Sequence, residues 1–474
     1  MTLMKKWMAA LALVFLGACS YTQSDDEWEI PDKLKPTYAN IYEAELEYNY
    51  ILLDVFYVYG HSRDEIGESY KDYLGKGTEE VNYVKDGHCT SEFYDVCYMY
   101  NQMRDPFTRY FDPYVAQKVW ELLEKTESVI GIGAEVEVVY DSASHYLVVS
   151  QVYLNSPAEK AGLKEKDIVV SVDGDPISSV TNFEKMCSGG DEGDLVNLVV
   201  ARGTDTLDIV IAMGAYLTPS VRLYYQDSVP VIQVKEFVSQ SVSDSGTYGE
   251  FVAALKKTEN APATIIDLRG NPGGDTRQCI NMASELLSKG DTIILQVETI
   301  PDSVKQIDGW HYFQAMDTIA YTAIEDGLAS GRYFVMLADT GSASCSEMFL
   351  AGVSSDKDKG FPIVGQVSYG KGIAQGVLIT KNVAGGLALI TSMQLFDKYW
   401  GSYHDVGFVP DYEIDDTAEQ MAKAVELAKG APVYRTAGYG TRKLGHFSKT
   451  HYSNEPKGIP TAKDLKIAYK LMSR

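Results

Sequence analysis

Apolar residues recur at helical spacing through 36–123. Ile41, Tyr48, Ile51, Leu52, Val55, Phe56 and Tyr59 fall on one face, predicting a first helix that packs by that face and sends its tyrosines into a core. Gly60 and the charged segment after it predict the end of this helix. Asp105-Pro106-Phe107-Thr108-Arg109-Tyr110-Phe111 then reads as a turn with aromatic anchors. Across 129–213 the period shortens to the alternation of strands. Gly131-Ile132-Gly133 opens that stretch, strands follow at 134–139 and 146–149, and Pro157 starts a short helix. A further strand at 167–172 runs into a turn at Asp173-Gly174, where glycine tolerates positive φ.

From 215 to 431 strands and helices alternate. The apolar run Ala263-Thr264-Ile265-Ile266-Asp267-Leu268 ends in Arg269-Gly270-Asn271-Pro272-Gly273-Gly274, and a helix follows with Ile280, Ala283, Leu286 and Leu287 on one face. A second strand at 333–338 precedes a second helix at 344–353. Repeated strand–turn–helix units predict an α/β core with active residues at its turns.

The first residues carry an address. Lys5-Lys6 precede an apolar stretch, 7–16, too short to span a bilayer, and Leu16-Gly17-Ala18-Cys19 resembles a bacterial lipobox. That reading predicts cleavage before Cys19, lipidation of its sulfur, and a membrane anchor without a transmembrane helix. The plain alternative is an ordinary cleaved signal. Ser24-Asp25-Asp26-Glu27 resembles the acidic export tag of surface lipoproteins, or else is a solvated linker.

What remains is too long for one core and predicts two to four domains. The formal charge of −24 argues against nucleic acid and against an anionic membrane surface as partners. Only the end of the chain, from Arg435, is basic; it either docks on the acidic body or is a solvated tail. Besides Cys19 the cysteines are Cys89, Cys97, Cys187, Cys279 and Cys345, without C-x-x-C spacing or histidine clusters, so neither a metal nor another cofactor is expected. Cys89 and Cys97 are candidates for a disulfide. Cys345 reads as a small buried filler rather than a nucleophile.

The chemistry concentrates in Gly341-Ser342-Ala343-Ser344-Cys345-Ser346-Glu347 and Tyr369-Gly370-Lys371-Gly372. A serine hydroxyl needs a base, and none of the seven histidines stands near a Gly-x-Ser-x-Gly elbow. A serine–lysine pair needs no histidine. Ser344-x-x-Glu347 is also a capping box, so taken alone Ser344 would read as a helix cap. Lys371 between two glycines, Gln375 four residues on, and Gly273-Gly274 as a turn with N–H groups to offer together favour a catalytic site.

These motifs resemble the C-terminal processing (tail-specific) serine peptidases. The resemblance rests on Asp105-Pro106-Phe107-Thr108, the 267–274 run, Ser342 to Glu347, Gly370-Lys371-Gly372-x-x-Gln375 and Gly407-Phe408-Val409-Pro410-Asp411. Within 129–213 the order Ser156-Pro157-Ala158, Ala161-Gly162-Leu163, Asp167-Ile168-Val169 and Val172-Asp173-Gly174 resembles a PDZ domain. The resemblance implies an α/β, crotonase-like peptidase core with an inserted PDZ domain and an N-terminal helical domain. The expected organisation is a signal at 1–18, an acidic linker at 19–34, a helical domain at 35–125, a PDZ domain at 128–213, a peptidase core at 214–433 and a basic tail at 434–474. It further implies Ser344 as nucleophile, Lys371 as general base, Gln375 in support, and an oxyanion hole from the N–H of Cys345 with that of Gly273 or Gly274. Gly131, Ile132 and Gly133 would receive a peptide's C-terminal carboxylate. Two departures stand out: the family usually has alanine at Cys345 and phenylalanine at Tyr369. The segment 355–359 is an extra polar stretch.

For Lys371 to act near neutrality, burial must lower its pKa by roughly three units. The expected function is a lipid-anchored endopeptidase of the bacterial cell envelope acting on proteins with free C-termini, with a homo-oligomer or a gating protein as possible further partners. The competing readings are a catalytically silent PDZ scaffold and a crotonase-like small-ligand binder.

Overall fold

Three parallel strands, Ala263–Asp267, Tyr333–Ala338 and Ile363–Gly365, form the middle of the larger of two compact units. This computed structural model describes residues 40–431 and 447–451, apart from 60–66, 79–88, 104, 125, 127, 142–143, 178, 307–308, 356–359 and 381–382. Cys19, the acidic run at 24–27, Gly60 and most of the basic tail therefore lie outside the described residues. The larger unit holds residues 1–121 and 262–474, and the smaller holds 122–261.

Every residue of Ala263–Asp267 is buried, the mark of a strand covered on both faces. The helix Thr417–Lys429 packs on these strands, while Thr276–Ser284 and Cys345–Ser354 pack on each other. A second, antiparallel sheet of the same unit runs in the order Arg109–Phe111, Leu387–Phe396, Thr292–Gln306, Gly309–Ala323, Phe447–His451, and Ile373–Ile379 also pairs with Leu387–Phe396. Its last strand comes from the basic tail, so residues 447–451 are sheet rather than solvated chain. Strands, turns and helices thus fall where the periodicity put them, and the α/β class stands.

The N-terminal helix Ile41–Phe56 buries Leu52, Val55 and Phe56 as expected, but its N-terminal half turns a different face inward. Ile41 and Ile51 are 50% and 36% exposed, whereas Glu45 and Asn49 are fully buried beside Leu46, Leu52, Leu53 and Phe56. Polar residues occupy the inward face because partners await them. Glu45 Oε1 accepts from Tyr110 Oη at 2.9 Å and from Thr380 Oγ1 at 2.6 Å, and Oε2 accepts from the Ala384 N–H at 3.1 Å. The helix shares its core with Tyr100, Tyr110, Leu378, Ala388 and Ile390, so the helical segment is a layer on the second sheet rather than a free-standing domain. Tyr48 and Tyr50 pack against this core while Tyr42 is exposed, and Cys89 and Cys97 are joined by a disulfide within it.

In the smaller unit five strands run in the order Ala134–Asp141, Ser144–Val152, Ile168–Val172, Leu195–Arg202, Asp205–Ala212 around a core that includes Ile132, Val149, Leu163, Phe183 and Leu198. Pro157 opens its short helix, with Ser156 Oγ accepting from the Glu159 N–H. Asp173 and Gly174 both have positive φ, as the turn requires. The hairpin Val221–Gln226 with Val229–Val234 and the helix Gly246–Lys257 also belong to this unit, so 214–261 cluster with it.

Glu45→Ala should destabilise the larger unit by about 3 kcal/mol or more, since it strands several buried donors that now meet a carboxylate. Urea unfolding followed by tyrosine fluorescence measures this. A loss under about 1 kcal/mol would mean that the network contributes little.

Candidate active site

Three loops leave the carboxyl ends of the three parallel strands, the edge of an open α/β sheet where ligands are usually bound. They are 268–275, 339–344 and 366–372. Asp339 Oδ1 stitches the first two, accepting from the Gly270 N–H at 2.8 Å and the Gly341 N–H at 2.9 Å. Ser342 Oγ donates to the Leu268 carbonyl at 2.8 Å, and the Ala343 N–H to that of Asn271 at 3.0 Å. Gly341 must be glycine here, because a Cβ would lie 2.9 Å from Gly270 Cα.

Ser344 caps the helix Cys345–Ser354 with φ 54° and ψ −110°, a conformation rare for any residue but glycine. Its helix cap and its chemistry are one arrangement. Glu347, fully buried, accepts from the Ser344 N–H at 3.0 Å and the Lys371 N–H at 2.7 Å on the same oxygen, Oε2. Oε1 accepts from the Gly370 N–H at 2.7 Å and Ser368 Oγ at 2.6 Å. One carboxylate therefore holds the backbone of the candidate nucleophile beside that of the candidate base. Burial raises the Glu347 pKa, and the donors from Ser368, Gly370, Lys371 and Ser344 pull it back. Ser368 is itself fixed by the Phe408 N–H, which donates to its Oγ at 2.7 Å, giving the Gly407-Phe408 motif a structural task.

The Lys371 side chain is half-buried, and its pKa is pushed down to about 8, chiefly by burial. The Asp105 carboxylate works against that shift, the Arg109 charge adds to it, and Glu347 opposes it. The amine stands 4.3 Å from the Phe107 ring centroid, a cation–π contact, and makes no hydrogen bond to Ser344 Oγ. Gln375 does not reach the amine either. Its Nε2 donates to Thr391 Oγ1 at 2.9 Å, and Thr391 Oγ1 in turn donates to Asp105, which also accepts from Thr108 Oγ1 at 2.7 Å. Asp105, Phe107 and Thr391 thus join the site. Sequence reasoning had Asp105 and Phe107 only as parts of a motif, and Thr391 not at all.

On the opposite side of Ser344, the Gly273 N–H donates to Asn271 Oδ1 at 2.9 Å, and a Cβ at Gly273 would come within 2.8 Å of Ser344 Cβ. The expectation that Cys345 is a buried filler is overturned: it is joined by a disulfide to Cys279, in the neighbouring helix, with Cα atoms 5.8 Å apart. The sequence offered no sign of it, since the two are 66 residues apart. Among the described residues no group of His, Cys, Asp and Glu is arranged to hold a metal ion.

In the smaller unit Gly131, Ile132 and Gly133 lead into Ala134–Asp141, the edge strand of its sheet. The Ile132 N–H donates to the Cys187 carbonyl at 3.0 Å, and Gly133 has φ 76° with Ser156 where a Cβ would stand.

Residues 228–414 match the profile of Peptidase family S41, and residues 130–213 that of the PDZ domain. The family likeness is therefore to an S41 peptidase in one segment and to a PDZ domain in the segment before it. The chain is 26% identical over 342 residues to the "Probable CtpA-like serine protease" of Staphylococcus haemolyticus, covering 71% of itself and 62% of that protein. It is 27% identical over 336 residues to the protein of the same description from Staphylococcus aureus strain COL, covering 70% and 61%. It thus spans about three fifths of the length of these curated relatives. Among solved structures, the photosystem II D1 C-terminal processing protease aligns with 82% of this chain and 97% of its own, at 19% identity and a TM-score of 0.44.

The depressed amine has a consequence for stability. Lys371 binds its proton more weakly folded than unfolded, so between about 8 and the ordinary 10.5 the unfolded chain holds more protons and stability rises with pH. The charged amine then costs about 3 kcal/mol at neutral pH. Lys371→Met should be more stable than the parent at pH 7 by up to that amount, with the gain fading as pH approaches 10.5. Chemical denaturation across pH 7–10.5 tests it. A difference independent of pH would mean that the amine titrates normally.

Proposed function

We propose that this protein is a serine endopeptidase of the C-terminal processing type, working through Ser344 and Lys371. The observation that carries the reading is the shared Glu347 oxygen, which sets the two backbones side by side. Neutral Lys371 takes the Ser344 Oγ proton as the oxygen attacks the scissile carbonyl, then gives it to the departing amine. Water, deprotonated by the same amine, opens the acyl-enzyme. The oxyanion falls to the N–H of Cys345 and that of Gly274, because the Gly273 N–H is spent on Asn271. For this the amine leaves the Phe107 ring and turns to Ser344. Gln375, through Thr391, holds Asp105 in place beside it.

In the same reading a substrate tail adds as a strand to the free edge of Ala134–Asp141, beside the helix Val180–Cys187, with its carboxylate received at Gly131-Ile132-Gly133. A lipid on Cys19 holds the protein at the bacterial envelope. Two disulfides, Cys89–Cys97 and Cys279–Cys345, support an oxidising location. The resting position of the amine over Phe107 instead favours the second reading, a catalytically silent PDZ scaffold.

Labelling by a fluorophosphonate separates the two. Ser344 should be modified, and Ser344→Ala should not. Ser344→Ala and Lys371→Arg should each lose several orders of magnitude in turnover, as members of a catalytic unit do, and guanidinium stays protonated. The rate should climb about tenfold per pH unit below pH 8, where the amine is protonated, and level off above it. Asp105→Asn removes a charge that favours the ammonium, so the midpoint should move to lower pH. Absence of labelling in the intact protein would leave the scaffold reading.

Tail recognition has its own test. Matched peptides ending in a free acid or an amide should differ in binding by about 1.5–3 kcal/mol, the range for a hydrogen bond to a charged group. Isothermal titration, with cleavage followed separately, would expose a passive PDZ domain by equal affinities and equal rates.

A further inference from the structure

We propose that the Cys279–Cys345 disulfide positions the oxyanion hole, so that cleavage runs at full rate only with this bridge oxidised. The inference rests on Ser344 as nucleophile and on the Cys345 N–H as one donor. The two donors of the hole come from chain segments far apart in sequence. One is at the start of the helix Cys345–Ser354, and the other lies in the loop that enters the helix Thr276–Ser284. Besides the Asp339 and Ser342 ties between the loops, the Asn271 carbonyl accepts from the Ala343 N–H and from Ser346 Oγ, both at 3.0 Å. The bridge adds the covalent tie, and it does so at the donor residue itself.

The neighbouring backbone has reason to need one. Ser344 holds a positive φ that non-glycine residues avoid, so its surroundings must over-determine it. Gly273, φ 106°, sits so close that a Cβ would be 2.8 Å from Ser344 Cβ and 2.9 Å from the Cys345 nitrogen. Small relative motion of the two segments would carry the donors off the oxyanion, and a misplacement of about 1 Å costs about 10²-fold in rate. Both cysteines are fully buried, so the bridge is part of the packed core rather than a surface clip. Lys371 lies in the third loop, beyond Glu347, so the bridge should act on the hole and leave the base unchanged.

The experiment uses the full chain in a Cys89→Ala/Cys97→Ala background, leaving one bridge to reduce. A trialkylphosphine gains an oxygen from water and leaves two thiols; glutathione disulfide then takes two electrons and two protons from those thiols, yields two glutathione thiols and restores the bridge. Reduction, and separately Cys279→Ala, should lower kcat by about 10- to 100-fold. KM should stay within about twofold and the pH midpoint should stay in place, and reoxidation should restore kcat. Fluorophosphonate labelling of Ser344 should slow in step. If the melting temperature falls while kcat, measured well below it, is unchanged, the bridge is merely structural and the proposal fails. A shift in KM or in the pH midpoint in place of kcat would also overturn it. Failure of the oxidised parent to label at Ser344 would instead sink the nucleophile assignment beneath it. Should Cys279→Ala not fold, the oxidised and reduced forms of one sample make the same comparison.

Discussion

The buried carboxylate of Glu347 is the constraint on which this site depends. Withdrawing a carboxylate from water is costly unless its lone pairs are met by donors. Here the donors are the backbones of Ser344, Gly370 and Lys371 and the hydroxyl of Ser368. Satisfying the charge and gathering the loops are therefore one event. The loop bearing the amine cannot move away from the serine without stranding a buried charge, which explains how two loops from different strands keep register without contact between the Ser344 and Lys371 side chains. Ser368 extends the brace to Phe408, so the distant 407–411 motif joins the same body.

The Lys371 amine is set by a second balance. Burial favours the neutral form, and Asp105 favours the ammonium. Were burial alone in charge, the amine would be neutral but weakly basic; were Asp105 alone, it would stay charged and inert. A value of about 8 lies between, near enough to physiological pH for both forms to be populated. Asp105 holds its position because Thr108 and Thr391 donate to it, and Gln375 orients Thr391. The Gln375 side chain therefore bears on the surroundings of the Lys371 amine at one remove.

How much of this was legible in the sequence follows from the range of each interaction. Strand–turn–helix order, the Pro157 helix start and the Ser344 cap are local, and periodicity and capping chemistry reveal them. Lys371 stood out because an amine between two glycines has no local explanation. Glu347 showed only its local half, the bond to the Ser344 N–H; its bonds to Ser368, Gly370 and Lys371 depend on a loop more than twenty residues away. The buried face of the first helix was read correctly at Leu52, Val55 and Phe56 and missed at Glu45 and Asn49 for the same reason. Glu45 looks like a solvent residue until Tyr110, Thr380 and Ala384 are brought to it. Cys279 and Cys345 carry no mark of their pairing, because the packing of two helices, not their spacing, brings them together.

The ties around Ser344 differ in kind, and the difference matters for control. Glu347 and Asp339 hold loops by hydrogen bonds, which respond to solvent entry and to displacement of a loop. The disulfide responds to neither, only to thiols or other reductants that reach it. A strained serine is flanked by both kinds of tie, and in the proposed mechanism Lys371, which rests on Phe107, turns to act. Beside the serine, Cys345 is tied covalently to Cys279. On the proposed mechanism, adjustment therefore belongs to the amine, and the hole stays fixed while the amine moves.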